Sequence, residues 1–142
     1  MAGDPYGLRR FVDAQEQANT YEHALRELRA GHKQSHWIWF VFPQIAGLGH
    51  SPMARTYAIT SLAEAGAYLD HPALGPRLLE CARALLANED RTAVEILGEV
   101  DALKLRSSMT LFAQAAPNEP LFREVLDRFF GGEDDPATRQ VL

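Results

Sequence analysis

The sequence predicts an all-α fold, a single compact domain of about seven to eight short helices. Apolar residues recur three and four positions apart through most of the chain, which is the spacing of one helix face. Serine, asparagine or aspartate precedes many of these stretches, and glycine or proline follows them, as at helix starts and ends. The 142 residues, of which 46% are hydrophobic, can bury a sizeable core without disulfides or a metal.

The overall charge restricts the classes of partner. A net charge of −5 at pH 7 disfavours a broad basic surface for extended nucleic acid or for an anionic membrane. It still allows a local pocket that binds one anionic small molecule. No protein partner is indicated by any motif.

Several further features indicate a cytoplasmic protein. The N-terminus lacks the basic and apolar regions of a signal peptide, and no apolar run reaches the length of a membrane span. The single cysteine, Cys81, lies at helical spacing among apolar neighbours, which favours a buried structural thiol over a nucleophile. We expect residues 1–7 to be a short lead-in that can fray and residues 8–142 to form one helical domain.

Capping signals define the predicted elements. The first helix begins near Leu8 and ends near Asn19, which with Glu22 predicts a capping box for a second helix that Gly31 ends. The remaining helices are predicted over residues 51–60 (capped by Ser51), 61–69 (capped by Ser61), 73–88, 90–98 (capped by Asp90), 101–116, 121–130 and from 135 onward.

Residues 37–42 are six consecutive large apolar residues that include both tryptophans. Their aromatic and β-branched content favours a strand, but no other segment offers a convincing partner strand, so we predict a buried helix. Ser35 is the expected N-cap, and Pro43 ends the segment in either case.

Polar side chains at both ends of this segment form the first candidate site. Lys33, Ser35 and His36 precede it and Gln44 follows it, so they could hold an anion or transfer a proton beside the buried core. Trp37 is placed to form one wall of a pocket. The alternative is structural: Ser35 caps a helix, His36 bonds locally, Gln44 is solvated and the tryptophan belongs to the core.

The second candidate stretch is residues 101–112. At helical spacing, Asp101 and Ser108 lie beside the apolar helix face that contains Leu105. Lys104 lies slightly further around the helix from that face. A lysine with one or two hydroxyls can bind phosphate or carboxylate. The alternative is a surface pair between Asp101 and Lys104. We predict no cofactor and no metal, because His32 and His36 have no further ligand nearby.

Five stretches together resemble a known family: residues 35–44, 47–51, 57–59, 68–72 and 104–112. They are similar, in the same order, to the bacterial and fungal domain of unknown function numbered 1810, which is often labelled calpastatin. That label does not suit this chain, since such a calpain inhibitor is a long disordered repeat protein. The resemblance implies a small, mostly helical domain. Its motif residues carried onto this sequence are Lys33, Ser35, His36, Trp37, Phe42, Gln44, Lys104, Ser107, Ser108 and Thr110.

Two hypotheses follow for the function. In the first, Lys33, His36 and Lys104 hold the anionic group of a phosphate, nucleotide or ADP-ribose-like ligand. Ser35, Ser107, Ser108 and Gln44 would supply hydrogen bonds, Trp37 a stacking wall and His36 an acid–base group for a hydrolase or transferase. In the second, the protein is a non-enzymatic interaction module whose motif residues are structural.

Overall fold

The computed structural model describes residues 3–142, and the all-α prediction is confirmed. These residues form ten α-helices and one short 3-10 helix at Gln17–Asn19. The α-helices are α1 (Arg9–Glu16), α2 (Thr20–Ala30), α3 (Ile38–Val41), α4 (Pro52–Thr56), α5 (Leu62–Asp70), α6 (Leu74–Leu86), α7 (Ala93–Leu97), α8 (Glu99–Ala115), α9 (Pro120–Phe130) and α10 (Pro136–Val141). The first two residues of the predicted lead-in lie outside the described part. None of the helices within it is long and apolar enough to cross a membrane.

Helix α8 occupies the centre of the fold. It packs against α3, α5, α7, α9 and α10. Its C-terminal half is buried at every position from Ser107 to Phe112, polar and apolar residues alike. A helix buried around its whole circumference belongs to the interior of a multi-helix core, which explains why its apolar residues do not form one narrow stripe.

Six aromatic rings form a continuous chain through the core. Neighbouring ring centroids are 5.2 to 5.7 Å apart, within the range of favourable edge-to-face and tilted contacts. The chain therefore connects α3, α1, α5, α8 and α9. In order, its members are Phe40, Tyr57, Phe11, Tyr68, Phe112 and Phe122.

The central apolar segment contains a helix of four residues, α3, so the choice of helix over strand was right. Trp37 occupies the N-cap position, and no side chain caps the helix. The prediction that Ser35 caps it was wrong, because the Ser35 hydroxyl donates to Glu27 instead. Beyond Pro43 the chain is extended, and Ile45 forms an isolated parallel bridge with Ile59.

The predicted caps divide into two groups. Ser51 and Ser61 accept from the N–H groups expected of N-caps. Asn19 does not, because it adopts a left-handed backbone conformation with φ 57° in the reversal between α1 and α2. Asp90 is also not the cap of α7: Thr92 takes that position and forms a full capping box with Glu95. Helix α4 ends at Thr56, since the residues that follow turn towards the bridge at Ile59.

Arg10 connects α1 to the chain around α4 and α5. Its guanidinium donates to Glu64 Oε2 at 3.0 Å, and the Glu64 side chain is only 2% exposed. Glu64 Oε1 accepts from the N–H and the hydroxyl of Thr60. The same guanidinium donates to four backbone carbonyls, those of Tyr6, Gly7, Thr56 and Ala58. One side chain therefore satisfies the polar groups of two distant segments.

Arg10→Ala should lower the free energy of unfolding by up to about 3 kcal/mol, because it leaves the buried Glu64 carboxylate without its cation. The neighbouring Arg9 is the matched control: its pair with Asp13 is 76% and 63% exposed. Arg9→Ala should change the stability by less than about 1 kcal/mol. Urea unfolding of both variants measures the difference, and equal losses would contradict this role for Arg10.

Candidate functional site

The two lysines of the chain meet at one carboxylate. Lys33 Nζ lies 2.9 Å from Asp101 Oδ2, and Lys104 Nζ lies 3.7 Å from Asp101 Oδ1. The three side chains are largely buried, with 9%, 23% and 17% of Lys33, Lys104 and Asp101 exposed. Two cations and one anion therefore meet at this point.

Both tryptophans take part in the same arrangement. Lys33 Nζ lies 5.2 Å from the ring centroid of Trp37, and Lys104 Nζ lies 4.9 Å from that of Trp39. These are cation–π distances. We call Lys33, Trp37, Trp39, Asp101 and Lys104 the lysine–tryptophan cluster.

The two rings differ in accessibility. Trp37 has no exposed surface, whereas Trp39 is partly exposed. A ligand therefore has no ring surface of Trp37 on which to stack, and Trp39 is the tryptophan of the cluster that reaches the protein surface.

The loop that carries Lys33 is fixed at its start. Gly31 ends α2 in the left-handed conformation with φ 74°, as the sequence predicted. A Cβ atom there would also lie 2.6 Å from Asn88 Oδ1. Two residues further on, the N–H of Lys33 donates to the carbonyl of Ile96 in α7 at 2.7 Å. The lysine backbone is therefore held between α2 and α7.

Glu27 fixes the rest of this loop. Its carboxylate accepts the N–H of Gln34 at 2.8 Å and the N–H of Ser35 at 3.0 Å. It also accepts the Ser35 hydroxyl at 2.6 Å and the Trp37 indole N–H at 2.9 Å. Partial burial alone would raise the pKa of Glu27, but the hydrogen bonds from Ser35, Gln34 and Trp37 outweigh it and lower the pKa to about 2.

Two buried donors accompany the lysine–tryptophan cluster. The indole N–H of Trp39 and the hydroxyl of the fully buried Ser108 have no hydrogen-bond partner within residues 3–142. Ser108 follows Lys104 by one helical turn, so both lie on the same face of α8. An unpaired buried polar group costs about 1–3 kcal/mol, and such groups call for an explanation.

The other predicted residues of α8 have partners inside the fold. The Ser107 hydroxyl lies 3.1 Å from Asp135 Oδ2. The same carboxylate oxygen accepts the N–H of Thr138, and Asp135 thereby caps α10. Thr110 donates its hydroxyl to the carbonyl of Arg106 and accepts the N–H of Asp135. Ser107 and Thr110 thus attach α10 to α8.

His36 and Gln44 lie outside the lysine–tryptophan cluster. His36 is exposed in the loop between Ser35 and Trp37, and its imidazole makes no hydrogen bond to the described residues. Gln44 lines a separate cavity with Arg10 and Arg55, in which neither lysine takes part. Of the predicted set, Lys33, Trp37 and Lys104 lie together in the cluster, and Ser108 lies one helical turn after Lys104.

The chemistry of the cluster is that of a donor set. Ammonium groups, an indole N–H and a hydroxyl all donate hydrogen bonds, and phosphate or carboxylate oxygens are the acceptors that match them. The carboxylate of Asp101 is already shared by the two lysines. Across the described residues no group of three or more His, Cys, Asp or Glu side chains is arranged to hold a metal ion.

These features define a small all-helical domain with a buried lysine–aspartate–lysine arrangement beside two tryptophans. The chain belongs to the family described as protein of unknown function (DUF1810), which matches residues 5–142. It is similar to the crystal structure of the conserved hypothetical protein Rv1873 from Mycobacterium tuberculosis, with 50% identity and a TM-score of 0.95. That similarity covers 98% of each chain. Among curated proteins, none matches this chain.

The stability of the protein should fall as the pH is lowered through the titration of Glu27. The ordinary pKa of its carboxyl is 4.5, and the hydrogen bonds lower it to about 2 in the folded protein. Below pH 4.5 the Glu27 carboxyl is protonated in the unfolded chain but stays ionised in the folded protein. The stabilisation is therefore complete above that pH and is lost as the pH falls towards 2.

Urea unfolding at pH 6 and pH 3 tests this expectation. Glu27→Gln should be less stable than the wild-type protein at pH 6. Its free energy of unfolding should also fall less than that of the wild type between pH 6 and pH 3. Glu22→Gln, an exposed carboxylate of the same helix, is the control and should keep the wild-type difference. A Glu27→Gln variant with the wild-type pH dependence would contradict the assignment.

Proposed function

We propose that this protein binds a small anionic ligand at the lysine–tryptophan cluster. The ligand class is a phosphate or carboxylate, including the phosphates of a nucleotide or an ADP-ribose-like molecule. The observation that carries the proposal is the pair of lysines on one aspartate, in which the partly exposed Lys104 lies over the partly exposed ring of Trp39.

The two lysines have different roles in this proposal. Lys33 is 9% exposed and lies 2.9 Å from Asp101, so it keeps that carboxylate neutralised. Lys104 is 23% exposed and lies at the longer distance of 3.7 Å. It is therefore the lysine that can turn towards a ligand oxygen at small cost. The side chain of Lys104 rests over Trp39, whose partly exposed ring offers a stacking surface for a planar group.

The enzymatic form of the proposal is a hydrolase or transferase that acts on a nucleotide-linked substrate. His36 would be its acid–base group, because histidine changes its charge near neutral pH. His36 is exposed in the loop that Glu27 holds between Lys33 and Trp37. Ser35, Ser107 and Gln44 would contribute only through the structure around the site.

Tryptophan fluorescence should report binding directly, because the chain has two tryptophans and both belong to the cluster. Titration with inorganic phosphate, nucleotides and ADP-ribose should give a saturable change with at least one of them. Lys104→Gln should weaken the affinity about tenfold or more, which is ~1.4 kcal/mol. Ser108→Ala should weaken it less and leave the fold intact.

Arg83→Gln is the matched control for charge, since Arg83 is exposed on α6 and makes no ion pair among the described residues. It should bind as the wild type does. A ligand that binds only the folded state stabilises it by ~2.7 kcal/mol when its concentration is a hundred times Kd. Binding should therefore also raise Tm. The absence of any saturable signal, or equal weakening by Lys104→Gln and Arg83→Gln, would overturn the proposal.

The alternative, a non-enzymatic interaction module, is favoured by a different surface. Val94, Val100 and Leu103 are 50%, 67% and 63% exposed, and they lie at or beside a cavity of about 430 Å³ that Phe129 and Phe130 also line. An apolar helix face of a partner could bind there. In that case Lys104→Gln should lower Tm and no small anion should change the fluorescence.

A further inference from the structure

A second polar cavity lies beside the loop that follows the central segment. It has a volume of about 270 Å³, and none of the lysine–tryptophan cluster residues line it. Its walls come from α1, from residues 44–49 and from the chain around α4. Its polar and glycine lining residues are Arg10, Gln44, Gly47, Gly49, Arg55 and Thr60.

Most of this wall is fixed by contacts within the fold. Arg10 is fully engaged by Glu64 and by backbone carbonyls, so its charge is neutralised and its donors are occupied. The Ile45 bridge is closed by hydrogen bonds of 2.8 Å from the N–H of Ile59 to the carbonyl of Gln44 and of 2.7 Å from the N–H of Ala46 to the carbonyl of Ile59.

Glycine is required where the loop passes the cavity. Gly47 has a φ of 99°, a conformation that other residues rarely adopt. A Cβ atom on Gly49 would lie 2.6 Å from the Cβ of Ala54, so only glycine lets the loop pack against α4. The backbone of this loop thereby forms a wall of the cavity itself.

Several polar groups at the cavity have no partner within residues 3–142. The exposed Arg55 guanidinium and the half-buried Gln44 amide make no hydrogen bond or ion pair there. The N–H groups of the exposed Gly47 and the half-buried Gly49 donate to no described acceptor. The free set is therefore one cation, two backbone donors and one amide that can both donate and accept. Since Glu64 offsets Arg10, the cavity carries one uncompensated positive charge.

We propose that this cavity binds a small organic monoanion, a carboxylate whose carbon skeleton also carries an amide-like group. The carboxylate would contact Arg55 and the N–H groups of Gly47 and Gly49, and Gln44 would pair with the neutral polar group. A volume of about 270 Å³ lies below the range of drug-sized sites, which limits the ligand to a few heavy atoms. This site is independent of the anion site proposed at the two lysines.

N-acetylglycine is a suitable probe, because it joins a carboxylate to an amide within this size. Titration of the ¹⁵N-labelled protein should shift the backbone amide resonances of Gly47 and Gly49 in a saturable manner. N-acetylglycinamide has the same shape without the charge and should bind at least about tenfold more weakly. Arg55→Gln should weaken N-acetylglycine binding by a similar factor, and Gln44→Leu should weaken it as well.

The control variants separate this site from the other. Arg83→Gln and Lys104→Gln should leave the N-acetylglycine titration unchanged, whether or not the lysine–tryptophan cluster binds phosphate. Folding of each variant is checked by the dispersion of its amide spectrum. The proposal is overturned if no saturable shift occurs at Gly47 and Gly49, or if Arg55→Gln and Arg83→Gln bind N-acetylglycine equally well.

Discussion

The Glu27 carboxylate is the interaction on which the placement of the lysine–tryptophan cluster depends. It binds two N–H groups, one hydroxyl and one indole N–H of the loop that leads into α3. Without it, that loop would have to satisfy these donors with water, and the indole of Trp37 would lose its buried acceptor. Because Trp37 lies at the start of α3, the same group also sets where the central apolar segment begins.

Asp101 plays the corresponding role at the other end of the cluster. A single lysine buried to this degree would be costly, and two lysines without a counter-ion would also repel each other. One carboxylate between them reduces both costs. The Glu27 carboxylate, which accepts the indole N–H of Trp37, is a second anion beside the cluster.

Local signals predicted the helices well and the long-range contacts poorly. Gly31, Ser51 and Ser61 act within a few residues, so their roles could be read from the sequence. Asn19 was misread because two consecutive left-handed residues replaced an ordinary cap. The carboxylate of Glu27 gave no sequence signal at all, since an acidic residue near the end of an amphipathic helix is ordinarily solvated.

The hydrogen-bond partners of the polar residues in α8 show why side-chain roles in a buried helix cannot be assigned from spacing. Ser107 and Ser108 are adjacent and both buried, yet Ser107 contacts Asp135 while Ser108 has no partner within residues 3–142. The difference arises because α10 covers one side of α8 and brings a carboxylate with it, whereas Ser108 lies one turn after Lys104. A hydroxyl that only stabilised the fold would be expected to donate to a neighbouring carbonyl, as Thr110 does to Arg106. Ser108 forms no such bond within residues 3–142, a difference that spacing along α8 alone could not predict.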